Sequence, residues 1–419
     1  MRTPQNETEK TESDDSLGRT ITRRKFLHFA SVAAGSVLTG CALTPESEKS
    51  IIKLNPGLSV ARFPEKTELI MLTDRPPQLE TPLFYFRQDL TPNEAFFVRW
   101  HFSGIPTNVD LRTFRLEVGG SVSKTLSFSI EDLKRQFEPQ TTVAVNQCSG
   151  NSRSLFTPQV PGGQWGNGAM GNARWTGVRL KDILNKAGVA SNSIDVSFSG
   201  LDEAPLYSMH KFAKSLHIEH ALSDEVLVAY EMNGEPLPML NGYPLRLVVP
   251  GWYATYWVKS LQKIEVLNTK FDGYWMAKAY RIPKNEHASE TPDNLAKDTV
   301  PINQMNVRSL LVRPDSNDVV RAGRAVEIEG ISFDGGSGIK SVEVSVDGGS
   351  TWKPAKLDSA DLGKFSFRRW RLSWTPAQAA TYNIMARATN NNGQIQGDQY
   401  WNKSGYMRNG IEQAQVVVI

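Results

Sequence analysis

Cysteine and net charge are both scarce in this sequence, and each shortage excludes a class of protein. The chain has 419 residues but only two cysteines, Cys41 and Cys148, so it is not a disulfide-rich scaffold. It contains no Cys-x-x-Cys-His motif for attaching a c-type haem. The formal net charge is +3, which predicts binding neither to nucleic acid nor to a membrane surface by charge alone. The length and the ordinary apolar content instead indicate two folded domains with additional segments.

The first forty residues have the pattern of an export signal. The basic segment Thr22–Leu27 (TRRKFL) precedes a short apolar run, Phe29–Leu38, which is too short to span a membrane as a mature helix. The paired arginines resemble a twin-arginine signal, which exports folded proteins; an ordinary secretory signal is the alternative. The run ends in Leu-Thr-Gly-Cys, typical of a bacterial lipoprotein site with acylation of Cys41; cleavage without a lipid, or an uncleaved anchor, is the alternative. We predict a signal over residues 1–40, a periplasmic or cell-envelope location, and a lipid anchor at Cys41.

The rest of the chain divides by composition into an α+β part and an all-β part. Residues 41–80 are predicted to form a tether and wrapping segment, and the proline-rich residues 51–95 to be irregular. Residues 81–285 mix β-like runs with helices and lack a regular βαβ rhythm, which predicts an α+β domain. The polar residues 286–300 have the composition of a linker. Residues 301–419 contain β-like runs between Gly, Asn and Asp turns, which predict an antiparallel sandwich of immunoglobulin type.

One stretch, Asn146–Leu180, is rich in Gly, Pro, Asn and Ser and has no apolar period. It follows a β-branched run, Thr141–Val145, that we interpret as a buried strand. We therefore predict a long loop, and long loops inside compact domains are usually functional. A thiol, two guanidinium groups and two indoles in one loop predict a site for an anion beside a soft ligand; they belong to Cys148, Arg153, Trp165, Arg174 and Trp175.

Cys148 has three interpretations. A lone cysteine is most often a small buried apolar residue, but its polar and glycine neighbours do not resemble a core. A disulfide with Cys41 would join a terminal tether to an interior loop, and it is excluded if Cys41 carries a lipid. A thiolate is also a soft donor for a transition metal. Because no second cysteine lies near Cys148, the remaining ligands of such a metal would have to come with a cofactor.

Two other positions are candidates for the same site. The segment Phe96–His101 is predicted to be a strand, which places Arg99 and His101 on one face and Trp100 on the other. A solvated arginine and a hydrogen-bonded histidine on an edge strand is the alternative. Tyr280 lies between basic residues in the sequence, so its hydroxyl is a candidate contact for an anion.

Several separate motifs occur in a consistent order along the chain: Phe97-Val98-Arg99-x-His101, Cys148-Ser-Gly-Asn-x-Arg153, the run Gly168–Leu180, the segment Ala229–Leu237, and Tyr243-Pro-Leu-Arg246 leading to Pro250-Gly251 and Val258-Lys259. Together they resemble the sulfite oxidase family of molybdopterin oxidoreductases, in its bacterial periplasmic sulfite dehydrogenase branch. The resemblance covers residues 80–419. Agreement of several motifs in order is far more specific than any single motif.

The resemblance implies oxidation of sulfite to sulfate by oxygen-atom transfer at a molybdenum-molybdopterin centre, with Cys148 as the sulfur ligand from the protein. It implies that Arg99, Arg153 and Trp165 line the anion pocket and that Tyr280 donates a hydrogen bond near the metal. It implies cofactor contacts from Phe97, Val98, Arg99, Trp100, His101, Asp202, Asn241, Arg246, Trp257, Val258 and Lys259, with Arg246 and Lys259 suited to the phosphate. The C-terminal sandwich would be a dimerisation domain, and the electrons would pass to a c-type cytochrome or another one-electron acceptor.

The sequence departs from the animal members at two places. Asn241 stands where they have a histidine, and Ser404 stands where they have a third pocket arginine, with Lys403 beside it as a substitute charge. A b-type haem domain is also absent from the sequence. These departures leave open a related oxidoreductase acting on another oxyanion or on an S- or N-oxide. A lipid-anchored extracytoplasmic binding protein with a sandwich module is the non-enzymatic alternative.

Overall fold

The structure, a computed structural model, describes residues 59–61, 63–206, 208–315 and 318–419. The predicted export signal and the lipid site at Cys41 lie outside these ranges and stay predictions. No helix among the described residues is long and apolar enough to cross a membrane.

The described residues form four α-helices and 24 strands. The helices are α1 (Ile130–Gln136), α2 (Leu180–Ala187), α3 (Ile218–Ala221) and α4 (Tyr274–Ala277). The strands are β1 (Ser59–Ala61), β2 (Leu69–Asp74), β3 (Pro77–Glu80), β4 (Val98–Arg99), β5 (Leu116–Gly120), β6 (Leu126–Phe128), β7 (Gln140–Gln147), β8 (Met170–Arg179), β9 (Asp195–Gly200), β10 (Ala213–His217), β11 (Leu227–Met232), β12 (Glu235–Pro236), β13 (Arg246–Val248), β14 (Leu261–Leu267), β15 (Arg281–Pro283), β16 (Thr299–Pro301), β17 (Arg308–Arg313), β18 (Val326–Phe333), β19 (Ile339–Ser345), β20 (Lys353–Pro354), β21 (Lys356–Leu357), β22 (Arg368–Trp374), β23 (Ala380–Asn390) and β24 (Gln413–Val418).

Three sheets build the first part of the chain. Strands β1 to β4 form an antiparallel sheet in sequence order. A mixed sheet has the order β10-β9-β14-β5-β6, in which only β14 and β5 run parallel. An antiparallel sheet has the order β12-β11-β8-β7, with β13 also paired to β11. Strands therefore combine with short helices and without βαβ repeats, as the α+β prediction requires.

Two four-stranded antiparallel sheets form the C-terminal part, in the orders β17-β18-β22-β21 and β20-β19-β23-β24. Buried residues from both sheets share one core, among them Ile328, Val342, Trp370 and Ile384. The prediction of an all-β C-terminal part is confirmed. The immunoglobulin-type arrangement of its strands stays a prediction.

Local sequence signals account for the two longer helices. In α1, the Ser129 hydroxyl accepts from the Asp132 backbone N–H at 3.0 Å, and the Asp132 carboxylate accepts from the Ser129 N–H at 3.1 Å. This reciprocal cap satisfies two backbone donors that the first turn leaves unpaired. Helix α2 ends at Gly188, whose φ of 71° is in the left-handed region that favours glycine.

Two predictions of irregular structure are wrong. Within residues 51–95, strands β2 and β3 form an antiparallel hairpin with a register shift between Met71 and Thr73. Within the predicted loop, β8 is a ten-residue strand between β7 and β11. Most of strand β8 is buried on both faces, with Arg174 as its exposed residue, so it lacks the alternation that marks a half-exposed strand. Its glycines allow close packing: a Cβ on Gly177 would lie 2.1 Å from the Val228 carbonyl oxygen.

The largest hydrophobic core continues from the first part of the chain into the sandwich, and includes Val145, Phe198, Phe333 and Phe367. Strands β15 and β16 pair with each other, so the two ends of the segment that joins them lie close together. At the end of β7, the Val145 N–H donates to the Phe365 carbonyl at 2.9 Å. The loop that begins at Cys148 therefore lies where the two parts of the chain meet.

Candidate active site

A cavity lies beside the end of β7 and has the Cys148 thiol in its wall. Cationic, amide and aromatic side chains surround the thiol. Nine of the predicted site residues line this cavity: Phe97, Arg99, His101, Cys148, Asn241, Arg246, Trp257, Lys259 and Tyr280. Sequence reasoning thus brought together residues that are up to 183 positions apart, from Phe97 to Tyr280.

Alternation around β4 separates the residues that face the cavity from those behind it. Phe97, Arg99 and His101 line the cavity, as the period of two along a strand predicts. Val98 and Trp100 lie on the opposite side in a separate apolar cluster. Trp100 and Val98 therefore support the cavity wall from behind, rather than face the cavity.

The loop that carries Cys148 is held at several points. The Cys148 N–H donates to the Ala169 carbonyl at 2.9 Å, which closes the base of the loop. Arg308 of β17 reaches across from the sandwich, and its Nη2 donates to Ser152 Oγ at 2.6 Å and to Glu412 Oε1 at 2.6 Å. Cys148 is 9% exposed and forms no disulfide with another described residue. The thiol therefore has a fixed position in the wall.

Arg153 lies in the same loop but outside the cavity wall. Its guanidinium packs against glycine, since a Cβ on Gly150 would lie 2.5 Å from Nη2. Nη1 donates to the Gly163 carbonyl at 3.3 Å and Nη2 to the Ser404 carbonyl at 3.1 Å. The guanidinium also lies 5.3 Å from the ring centroid of Tyr406. Arg153 is thus a buried cation behind the wall, and Ser404 contributes a backbone acceptor to it; the Lys403 side chain is exposed.

The other loop residues singled out from the sequence do not line the cavity. Trp165 is buried in the loop, and Arg174 is exposed on β8. Trp175 is buried, and its indole N–H donates to the Ala144 carbonyl at 3.1 Å. The interpretation of Arg174 and Trp175 as parts of an anion-binding loop is wrong, because both belong to a central strand.

Tyr280 and His101 form a buried polar pair at the cavity. The Tyr280 hydroxyl lies 2.6 Å from His101 Nε2, and the imidazole stacks on Phe212 with ring centroids 3.7 Å apart. Burial, with Arg99, Lys259 and Lys214 nearby, lowers the pKa of His101 well below its usual value. Burial likewise raises the pKa of the Tyr280 hydroxyl. The pair is therefore a neutral imidazole and a protonated phenol, joined by one hydrogen bond.

Arg246 and Lys259 bring two buried cations to the opposite part of the wall. The Arg246 guanidinium packs against the rings of both Trp175 and Trp257, at 5.3 and 5.7 Å from their centroids. Burial lowers the pKa of Arg246 to about 9 and that of Lys259 to about 7. The nearby acid is Asp202, which is buried behind the wall; burial raises its pKa and the Lys259 ammonium opposes that rise. Val258, which follows Trp257, is also buried and does not line the cavity.

Polar atoms without a partner face the cavity from several sides. Among the described residues, five cavity-lining side chains have a buried atom with no hydrogen-bond partner: Arg99 Nη1, Asn146 Nδ2, Ser149 Oγ, Arg246 Nε and Thr255 Oγ1. Buried polar groups are nearly always satisfied, so such atoms need an explanation. Donors and cations that lack partners around a thiol fit a large anionic ligand with a site for a soft metal.

Sequence reasoning missed several residues of this site. Asn146 and Ser149 flank Cys148 and line the cavity, so their position beside the thiol was a usable signal. Lys66 and Lys214 are buried cations near the cavity, from segments that carry no motif. Burial lowers the pKa of each to about 7. Their role depends on the fold and could not be predicted from neighbouring residues.

Comparison with known proteins agrees with the motifs. The family model described as an oxidoreductase molybdopterin binding domain matches residues 102–275, and the model described as a Mo-co oxidoreductase dimerisation domain matches residues 299–418. Mitochondrial sulfite oxidase of Mus musculus is 34% identical over 82% of this chain and 63% of its own length. This chain therefore spans less than two thirds of that relative.

Two further proteins are similar over a larger share of their own length. Sulfite oxidase of Gallus gallus is 33% identical over 76% of this chain and 71% of its own length. The solved structure of the sulfane dehydrogenase SoxCD from Paracoccus pantotrophus has a TM-score of 0.72 at 25% identity, over 90% of this chain and 93% of that one. From the family models, these relatives and the ordered motifs around the cavity, the chain belongs to the sulfite oxidase family of molybdopterin oxidoreductases.

Proposed function

We propose that this chain oxidises sulfite to sulfate at a molybdenum-molybdopterin centre held by Cys148, as a bacterial periplasmic sulfite dehydrogenase. The observation that supports this most directly is the cavity in which the Cys148 thiol, Arg99 and the unpartnered donors meet. The relatives named sulfite oxidase give the substrate, sulfite.

The cavity fits the cofactor of this family. Arg246 and Lys259 are buried cations suited to its phosphate, because an anion would offset the cost of burying them. Asn146, Ser149 and Asn241 offer polar contacts from the same wall, and the Cys148 sulfur is the ligand from the protein. When bound, the cofactor supplies oxygen-atom transfer and stores the two electrons that sulfite gives up.

Residues of the chain attract and orient the substrate. Arg99 presents an unpartnered Nη1 in the cavity wall, which can form a charge-assisted hydrogen bond to a sulfite oxygen. Arg153 adds positive charge from behind the wall, and Trp165 packs in the loop that holds it. The Tyr280 hydroxyl keeps its proton and is oriented by the neutral imidazole of His101. When His101 Nε2–H donates to the phenol oxygen, the Tyr280 O–H is free to donate to a bound oxyanion, and neither group changes its charge.

The electrons leave to another protein under this proposal. Sulfite oxidation releases two electrons, and the sequence has no Cys-x-x-Cys-His motif with which to bind a c-type haem of its own. The acceptor is a c-type cytochrome or another one-electron carrier. The match to a dimerisation domain over residues 299–418 supports a homodimer formed through the sandwich.

The proposed location rests on the sequence alone. A twin-arginine signal over residues 1–40 would export the folded, cofactor-loaded protein to the periplasm, and acylation of Cys41 would attach it to the cell envelope.

One position favours a second candidate, a related oxidoreductase that acts on another oxyanion or on an S- or N-oxide. At Ser404 the chain contributes a carbonyl to Arg153, where the sequence resemblance leads one to expect a third guanidinium. The pocket therefore carries less positive charge, and its preferred substrate can differ from sulfite.

Elemental analysis and a substrate assay on purified, cofactor-matured protein test the proposal. The expected result is one molybdenum per chain and sulfite-dependent reduction of a c-type cytochrome, both lost in Cys148→Ser. Cys41→Ser, which removes the other thiol of the chain, is the matched control. Molybdenum without sulfite oxidation favours the second candidate, and protein matured with its cofactor that still lacks molybdenum contradicts both.

A further inference from the structure

Lys66 is a buried lysine that the proposed function does not use. It is 6% exposed and precedes β2, far in sequence from the other site residues. Its Nζ donates to the Asn93 carbonyl at 2.6 Å and to Asn241 Oδ1 at 2.5 Å. Asn241 lines the cavity. Lys66 therefore contacts the cavity wall through one side-chain amide.

This contact determines how the Asn241 amide is oriented. An ammonium group can only donate hydrogen bonds, so the amide oxygen must face Lys66. The amide nitrogen then donates to the Phe97 carbonyl at 3.1 Å, which agrees with that orientation. An amide nitrogen carries two hydrogens, and Phe97 takes one of them. The second is left for a ligand in the cavity.

The backbone of Asn241 is fixed as well. Its carbonyl accepts from Arg246 Nη1 at 2.9 Å. Since the backbone cannot turn, the remaining freedom of the residue is rotation of the side-chain amide. Without an ammonium beside Oδ1, only the Phe97 carbonyl would hold this orientation, so the amide would turn over more readily and present an acceptor to the cavity. An acceptor would repel the anionic parts of a ligand instead of binding them.

We propose that Lys66 is a positioning residue for the cofactor, because it holds Asn241 as a hydrogen-bond donor to the bound molybdopterin. The inference rests on the cofactor part of the proposed function and is independent of the substrate. The oxygen of an amide accepts hydrogen bonds and its nitrogen donates them. The contact with Lys66 explains why the donor end of the Asn241 amide is the one available to the cavity.

The charge of Lys66 also favours this orientation of the Asn241 amide. Burial lowers its pKa to about 7, and Arg246 contributes to that shift while Glu65 and Glu94 oppose it. An anion bound nearby would therefore favour the charged ammonium. The charged form is the one that cannot accept a hydrogen bond, so ligand binding reinforces the amide orientation that the ligand needs.

Three variants test the inference: Lys66→Met, the double variant Lys66→Met with Asn241→His, and Lys124→Met as an exposed-lysine control. The readouts are molybdenum and pterin per chain and the rate of pterin release after gel filtration. Lys66→Met is expected to release pterin about tenfold faster, the effect of losing one hydrogen bond to a charged group. The double variant is expected to restore slow release, because an imidazole N–H can donate without an ammonium to orient it. The control is expected to match the unaltered protein.

Each other outcome overturns the inference. Slow pterin release from Lys66→Met shows that the amide needs no ammonium. Fast release that Asn241→His does not correct, in a variant with unaltered circular dichroism, shows that Lys66 acts by another route. Where Lys66→Met does not fold, Lys66→Gln replaces it, since a neutral amide can donate or accept and no longer fixes the orientation. These readouts use no sulfite, so a protein that retains pterin but fails to oxidise sulfite refutes the proposed substrate and leaves this inference standing.

Discussion

Replacing Lys214 with methionine is expected to flatten the pH dependence of stability in the cofactor-free protein. Lys214 lies on β10 and is fully buried. Its Nζ donates to the Trp275 carbonyl at 2.7 Å and lies 4.6 Å from the ring centroid of Tyr256 and 5.1 Å from that of Tyr280. Burial, with a smaller contribution from Arg281, lowers the pKa of Lys214 from 10.5 to about 7. The ammonium thus has a carbonyl and two rings as partners.

The sign and size of the effect follow from linkage. The pKa of Lys214 is lower in the folded state than in the unfolded chain, so between pH 7 and 10.5 the unfolded chain holds a proton that the folded protein has released. The free energy of unfolding therefore rises with pH in this window, by about 1.4 kcal/mol per pH unit for one proton. Between pH 7.5 and pH 9 the contribution of Lys214 is about 2 kcal/mol. Below pH 7 both states are protonated, and the penalty for burying the charge is constant.

Urea unfolding of cofactor-free protein at pH 7.5 and pH 9 measures this contribution. Lys214→Met also loses a hydrogen bond and two ring contacts, but that loss does not vary with pH. The difference between the two pH values therefore isolates the titration of Lys214. The stability gain from pH 7.5 to 9 is expected to be about 2 kcal/mol smaller in Lys214→Met than in the unaltered protein and in the exposed-lysine control Lys124→Met. Equal gains in all three proteins would refute the assignment of Lys214 as a buried group that loses its proton near neutral pH.

Three other substitutions have defined outcomes. Cys148→Ser is expected to abolish sulfite turnover and molybdenum retention, while the free energy of unfolding of the cofactor-free protein stays within about 1 kcal/mol of the unaltered value, because serine has nearly the same shape as cysteine; full activity would contradict the role of the sulfur. Arg153→Gln is expected to raise the KM for sulfite, because it removes a buried positive charge behind the cavity wall; an unchanged KM in steady-state assays would count against its part in anion binding. Gly177→Ala is expected to lower stability by about 1–3 kcal/mol or more, because its Cβ would lie 2.1 Å from the Val228 carbonyl oxygen, whereas Gly397→Ala has open space and should unfold at the same urea concentration as the unaltered chain. If Gly177→Ala and Gly397→Ala unfold at the same urea concentration, close packing of β8 does not explain why position 177 is a glycine.

Short-range signals predicted part of the site correctly. Alternate residues of a strand lie on the same face, so the six residues Phe96–His101 were enough to predict that Phe97, Arg99 and His101 share one face. The start of the helix at Ile130 is likewise determined locally, by the capping box of Ser129 and Asp132. Strand β8 could not be predicted in this way, because a strand buried on both faces loses the alternation, and its glycines resemble those of a loop. Only the pairing with β7 and β11 distinguishes the two.

The buried lysines show a different limit of sequence reasoning. Lys66 and Lys214 are isolated in the sequence, and each becomes part of the site only because sheets from distant segments meet around one cavity. Asn241 could be placed at the cavity from the sequence resemblance, but its orientation could not, since Lys66 determines it through a contact 175 positions away. Motifs thus predicted nine of the residues that line the cavity, and the fold decides which atoms those residues present to it.

The charges around the cavity also connect the site to the predicted export route. Arg246, Lys259, Lys66 and Lys214 are each buried, and burial lowers the pKa of every one. Without an anion these groups oppose folding, because burying a positive charge is costly even where the group donates hydrogen bonds to neutral acceptors. A ligand that binds only the folded state removes part of that penalty and stabilises the protein by mass action. The cofactor-loaded protein is therefore expected to be the more stable form, and the proposed twin-arginine route would carry it folded. Urea unfolding of the loaded and cofactor-free proteins at one pH would test this step. A higher midpoint for the loaded protein agrees with it. Equal midpoints would show that the cofactor does not offset the cost of the buried charges, and the argument for a link with the export route would fail.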